Sequence, residues 1–499
     1  MKCFNRPVTF FTLCFAMIAA LASAVEPPAQ DKPKDGPEFK VINLSVYPAP
    51  IPRPAMKYHL LPRLVDQTPG NAALLYDTIF IRIAEEDGIK QGKSELIKDE
   101  KQREQASAYA DRISKWQETP LADLPKDEVR KTLDDVEPWI MEYAQMASRR
   151  TRCDWELPAR EIKNPMEVRL PELHRAKSLG RILALKARLS LAEGKPEEAL
   201  KTLQIGLALS RQVAEGQVPL VNYLVGSAIA GMMREQLLEV PQLYDAPNLY
   251  WSLANLPHPV VDCRHVIDGE DLGFQRYFAE MAEARTGEHS PERWQQMLET
   301  TIDKLRTAIA MLANKDPKTA KAEEVDVKKI LEENYPIARD YLVKLGWPVK
   351  EIRSMAPARV LLLYGAEMWS EMFDDGTKWL GITYSQWPSN LREHYGDLMK
   401  KYEGFPLADS FNVMGKVAAT QAQCERDFDC LRLIEAIRLY AYDHNGKLPE
   451  KLEAIDEVPV PPNPMTGKPF AYRLEGDTAV LLADGDTEKN YEYRIKLAK

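Results

Sequence analysis

The stretch LGRILALKARLSLAEGKPEEALKTLQIGLALSRQVAEG, Leu179 to Gly216, decides the fold class. It reads as two helices joined by a tight turn. The first ends at Gly194, the residue type that adopts the left-handed conformation after a helix most readily. Pro196 falls in the first turn of the next helix, where its missing N–H costs little. Glu197 and Glu198 follow, placing negative charge at the positive end of the helix dipole. Ala199, Gly206 and Ser210 give the second helix a small-residue face that lets another helix approach, and Leu200, Leu203 and Leu207 fill the adjoining core.

Helical periodicity continues in both directions. It begins at PGNAALLYDTIFIRIAEED, with Asn71 as N-cap. It recurs at about 95–115, 126–150, 172–193, 196–215, 219–238, 265–281, 290–314, 324–344, 349–373, 387–403 and 408–443. APNLYWSLANLP, Ala246 to Pro257, is a short helix between prolines that turns Leu249, Leu253 and Leu256 to one face. Strand-like alternation is scarce before residue 468, so residues 71–405 read as one all-α domain.

Residues 406–499 read differently. Cys430, Leu433, Ile434, Ile437 and Ala441 form an apolar helical stripe, with Arg432, Glu435 and Arg438 facing elsewhere. Asn445-Gly446 ends that helix. A proline loop, VPVPPNPMTGKP, follows, and then three strands. Phe470, Tyr472 and Leu474 alternate with polar partners, Ala479–Ala483 is apolar on both faces, and Tyr491, Tyr493, Ile495 and Leu497 alternate with Glu492, Arg494 and Lys496. The expected fold is therefore mainly α: an irregular helical domain plus a small C-terminal α+β module of one helix and a three-stranded antiparallel sheet.

The N-terminus has the layout of a secretory signal over residues 1–24: Lys2 and Arg6, an apolar run from Val8 to Ala20, and Ala22-Ser23-Ala24 as cleavage context. The apolar run is short for a transmembrane helix. Residues 25–70 are proline-rich, with prolines at 48, 50, 52, 54 and 62 excluding helix and favouring an extended, polyproline-like strap. Val41, Leu44, Tyr47, Tyr58 and Leu60 imply that its later half packs on the domain surface.

The net charge of −9 becomes −11 when Lys2 and Arg6 are removed with no acid. Such a balance disfavours nucleic acid and anionic lipid as partners. Four cysteines remain after cleavage: Cys153, Cys263, Cys424 and Cys430. Export permits disulfides, and four cysteines allow three full pairings. Cys424 and Cys430 are six helical residues apart, about 9 Å of rise and about 120° of rotation, beyond the reach of a bridge. A Cys153–Cys263 bridge and buried free thiols both stay open.

Catalytic motifs are wanting. Gly92-Lys93-Ser94 lacks the upstream glycine spacing of a phosphate loop. The GxSxG, HExxH and CxxC patterns are absent. HVIDGED offers His265, Asp268 and Glu270 as a weak acid–base or metal-ligating set if folded inward, and a helix start with a solvated turn otherwise. The balance favours a non-enzymatic role without a cofactor.

Three resemblances add to this reading. EGKPEEAL and its surroundings resemble one tetratricopeptide-type hairpin. No second copy stands at the 34-residue repeat distance, and an array needs about three repeats, so a lone hairpin in an irregular domain is favoured. YAYDHNGKLPEKLEAI with NPMTGKPFAY is similar to the globular head of type II secretion major pseudopilins, over about the last 75 residues. Those proteins carry the head on an N-terminal apolar helix that is lacking here, which implies a borrowed module rather than a pilus subunit. Some such heads hold calcium, which makes Asp484, Asp486 and Glu488 candidate ligands, against a solvated hairpin turn. Finally, PAMKYHLLPRLVDQTPGNAALLY, RCDWELP and APNLYWSLANLPHPVVD, with the hairpin and C-terminal module, resemble a family of exported helical proteins of planctomycete bacteria. That likeness implies export and names no catalytic residues. The expectation is an exported periplasmic or secreted protein that binds or scaffolds a protein partner in the cell envelope. The alternatives are an envelope-polymer hydrolase around His265 and a calcium-stabilised secretion accessory.

Overall fold

Gly194 adopts φ 72°, and the chain turns there between helices Pro171–Ala192 and Pro196–Ala214. The turn is closed by the Gly194 N–H donating to the Leu191 carbonyl (2.9 Å) and the Lys195 N–H to the Ser190 carbonyl (2.8 Å), which satisfies carbonyls the ended helix leaves open. The computed structural model describes residues 38–91, 112–134, 138–155, 171–215, 220–312, 326–393, 395, 397, 402, 412–485 and 489–498. The signal-like residues 1–24, the start of the proline-rich segment, Gly92-Lys93-Ser94, Asp486 and Glu488 lie outside the described residues.

A third helix, Leu220–Leu237, packs on the hairpin where small residues permit it. A Cβ on Gly206 would lie 2.1 Å from the Met233 sulfur, and one on Gly226 would lie 2.5 Å from the Ser210 carbonyl oxygen. The small-residue face of the second hairpin helix is thus the contact face for the third.

Prolines divide two of the longer helical stretches. Residues 349–373 fold as Val349–Ser354 and Pro357–Thr377, because Pro357 opens the second helix at its first turn. Pro138 likewise opens a helix, Pro138–Ser148, distinct from Lys126–Asp134.

The sheet has one strand more than the sequence pattern suggests. Strand β1 (Phe39–Val46) lies in the segment expected to be an extended polyproline-like strap. Strands β2 (Thr68–Asn71) and β3 (Arg150–Arg152) make a small separate parallel pair. At the C-terminus, β4 (Ala471–Glu475), β5 (Thr478–Ala483) and β6 (Asn490–Leu497) form an antiparallel meander. β1 adds in parallel to β6, Phe39 opposite Asn490 through Val46 opposite Leu497, giving the order β1-β6-β5-β4. A parallel neighbour requires a crossover, and here the whole helical body is the crossover. Ile42, Leu44 and Val46 alternate with Asn43 and Ser45, and Leu44 and Val46 are buried. That period-2 signal is short and sits beside the prolines that obscure it.

The architecture is therefore mainly α with a small sheet. One hydrophobic core runs from Leu44 and Val46 through Leu203 and Val213 to Tyr493 and Ile495, so sheet and helices share it. Among the described residues, no helix is long and apolar enough to cross a membrane.

Candidate functional site

His265, Asp268 and Glu270 are the candidate acid–base or metal-ligating set. All three lie on one helix, Arg264–Tyr277. His265 and Asp268 are exposed, whereas the Glu270 carboxylate points inward and accepts the Leu220 N–H at 2.7 Å, capping the start of the third helix. Positions 265, 268 and 270 differ by about 300° and 200° of helical turn, which is why the structure separates the carboxylate from the other two. Burial pushes the Glu270 carboxyl up to about 7, against the lowering effect of the Leu220 hydrogen bond.

At the candidate calcium loop, the Asp484 carbonyl and Oδ1 each accept from Asn463 Nδ2 at 3.0 Å. That carboxylate fixes the Asn463-Pro464 turn. Among the described residues, no group of three or more His, Cys, Asp or Glu side chains is placed to hold a metal. The four cysteines are free thiols; Cys263 and Cys430 are buried, and burial raises both thiol pKa values.

A groove of about 1260 Å³ lies where three parts of the fold meet. The proline strap, Tyr47 to Tyr58, forms one wall. Tyr244–Pro247 forms another, and the end of the long helix Asn412–Asp443 supplies Leu439, Tyr442 and Asp443. Glu457 also lines it.

A buried ion pair holds these walls. Arg438 is fully enclosed and Glu435 nearly so. Arg438 Nη1 donates to Glu435 Oε2 at 2.6 Å. The remaining guanidinium donors reach backbone carbonyls on two walls: Nε to Tyr47 (2.7 Å), Nη2 to Ala246 (3.0 Å) and Nη1 to Pro247 (3.3 Å). Burial raises the Glu435 pKa against the lowering field of Arg438. A planar fork of five N–H donors suits this role, and an ammonium would not span it.

Pro48, Pro50, Pro52 and Pro54 have no N–H to donate, and within the strap the Lys57 N–H donates to the Pro54 carbonyl (3.0 Å). Other groups of the strap are met from the helical body. The Ala49 N–H donates to the Arg438 carbonyl (3.3 Å), Gln204 Nε2 to the His59 carbonyl (2.7 Å) and Ser252 Oγ to the Tyr58 carbonyl (2.9 Å). Glu197, in the first turn of the second hairpin helix, accepts from Lys57 Nζ (3.0 Å) and the Tyr58 hydroxyl (2.7 Å). The hairpin thus anchors the far end of the strap.

Two tyrosines stand out from the groove. Tyr244 is 82% exposed and Tyr442 is 52% exposed. Tyr47 meets Tyr244 edge-on, with ring centroids 5.5 Å apart. Next to Tyr244, Asp245 adopts φ 60°, an uncommon backbone conformation for a side chain other than glycine. Glu457 Oε1 lies 3.3 Å from His444 Nδ1, while its Oε2 is buried without a hydrogen-bond partner among the described residues. The arrangement offers aromatic surface, acceptors and negative charge, and no paired nucleophile and base.

A second buried network ties the sheet to the helices. Asp427 receives Arg426 Nη2 at 2.9 Å and lies 3.2 Å from Arg234 Nη1, and Arg426 Nη2 also reaches the Lys489 carbonyl at 2.7 Å. The Tyr491 ring lies beside both cations, at 5.5 and 5.9 Å. Asp427 thus faces two guanidiniums, and Arg234 Nη1 is buried near it without a hydrogen-bond partner among the described residues.

Sequence reasoning did not find Arg438, Glu435, Tyr244 or Tyr442. A signal existed for the first two: ILE-type neighbours flank both on every side in LIEAIRLYA, so neither had a solvated face nearby. Comparison of the chain with protein-family models, with curated proteins and with solved structures found no match.

Proposed function

We propose that this chain is an exported protein of the cell envelope that binds or scaffolds a protein partner, and that the partner docks in the groove between the proline strap and the end of the long helix. One observation carries the reading: two highly exposed tyrosines on walls that a buried Arg438–Glu435 pair holds in place. Preorganised walls reduce the ordering cost of binding, and exposed aromatic side chains are frequent anchors at interfaces. The signal-like N-terminus supports export. The likeness to exported planctomycete proteins, the pseudopilin-like C-terminal residues and the tetratricopeptide-like hairpin belong to the same reading, as borrowed modules in a binding protein.

The test is a pull-down from envelope extracts with the mature chain and with a Tyr244→Ala/Tyr442→Ala variant. A partner recovered reproducibly by the first and lost with the second supports the proposal. Identical recoveries, or none, would contradict it.

A further inference from the structure

Resting on that reading, we infer that the groove takes an extended, proline-rich polypeptide segment bearing a lysine or arginine. The argument starts from what the walls offer. Pro48, Pro50, Pro52 and Pro54 deprive the strap wall of N–H donors. Asp245, Asp443 and Glu457 add three carboxylates to the lining. On the opposing side of the charge balance, Lys57 is held by Glu197 at 3.0 Å, and Arg53 is the other cation. The lining therefore carries more carboxylates than cations, and Asp245 and Asp443 are exposed on it. Its complement is a donor that cannot itself accept, which describes a guanidinium or an ammonium.

The aromatic component selects the rest of the ligand. Tyr244 and Tyr442 present flat apolar faces, each with a hydroxyl that can donate to a carbonyl. Grooves lined by aromatic rings receive polyproline segments, which bring a preformed backbone and lose little entropy on docking. A glycan would also stack on tyrosine, but a neutral glycan brings no cation to the exposed carboxylates of Asp245 and Asp443. The peptide is thus favoured over the glycan.

The experiment measures fluorescence anisotropy of a labelled dodecaproline carrying two lysines, titrated with the mature chain. Saturable binding by about 1 mM protein is expected. Replacing the two lysines by glutamates should weaken binding at least about tenfold, as should Tyr244→Ala or Tyr442→Ala in the protein. Asp443→Asn should weaken the lysine probe and reduce its salt dependence. Equal binding of lysine and glutamate probes, indifference to all three substitutions, absence of binding to the lysine probe, or displacement of that probe by a chito-oligosaccharide at lower concentration would each overturn the inference. The two proposals fail separately: a groove-dependent partner in the pull-down with no binding of the lysine probe removes the peptide chemistry and leaves the docking site.

Discussion

Arg438 Nε donates to the Tyr47 carbonyl oxygen at 2.7 Å, linking residues 391 positions apart. The same guanidinium holds Ala246 and Pro247 and is neutralised by Glu435. Replacing Arg438 by methionine should therefore leave a buried carboxylate and three carbonyls without their donor. Removing one partner of such a pair costs about 3–5 kcal/mol. Denaturant unfolding should show that loss for Arg438→Met. The double variant Arg438→Met/Glu435→Leu should recover part of it, since no charge is stranded. A single variant as stable as the parent would show that the pair holds nothing.

Glu270 gives a pH-dependent prediction. Its carboxyl titrates at about 7 in the folded chain against 4.5 ordinarily, because burial outweighs the Leu220 hydrogen bond. The side chain as a whole is half-buried, and the enclosed part is its carboxylate end. A raised acid pKa stabilises the fold fully below the ordinary value and loses that contribution as pH rises through about 7. Glu270→Gln keeps an acceptor and removes the charge. It should raise stability by about 2 kcal/mol at pH 8 and leave it unchanged near pH 4. Thermal melts at both pH values decide the matter; a gain at pH 4 as large as that at pH 8 would refute the titration. Asp429, raised by burial to about 6, acts in the same direction at lower pH.

Gly226 tests the helix packing. A methyl there would meet the Ser210 backbone carbonyl at 2.5 Å and the Ala214 Cβ at 2.7 Å. Backbone does not yield as a side chain end does, so Gly226→Ala should destabilise by about 1–3 kcal/mol despite a better helix propensity. Gly231, with open space beside it, is the control, and its alanine variant should be neutral or stabilising.

The sheet supplies another test. β1 covers one edge of β6 along eight residue pairs. Val46→Asp places a charge at a fully buried position on that strand. Amide exchange of Tyr491–Leu497 should accelerate, while that of Leu200–Val213 in the hairpin should change less. Unaltered protection of β6 would mean that β1 contributes little to the sheet.

The hairpin was fully legible in the sequence because its signals are local: Gly194 ends one helix, Pro196 starts the next, and Gly206 marks a close approach that Met233 fills. The C-terminal meander was legible for the same reason, each strand carrying its own alternation. β1 was not, because its partner lies at the far end of the chain and only the folded helical body brings them together. The groove was less legible still. Arg438 and Glu435 looked like a solvated face on a helix with one apolar stripe, but that helix is enclosed on several sides, with Leu431, Leu433, Ala436 and Leu439 also buried. The charges are inside because they serve each other and the strap. Tyr244 and Tyr442 carry no motif; exposure alone distinguishes them, and exposure is a property of the fold.

The central claim is that the groove receives a protein partner. Site-specific photocrosslinking in cells tests it most directly, with a benzophenone side chain in place of Tyr442 and, as reference, in place of Ile337, which is 57% exposed on the helix Val327–Lys344. The account predicts one reproducible light-dependent protein adduct from position 442 that is missing from position 337. No adduct, or the same adducts from both positions, would contradict it.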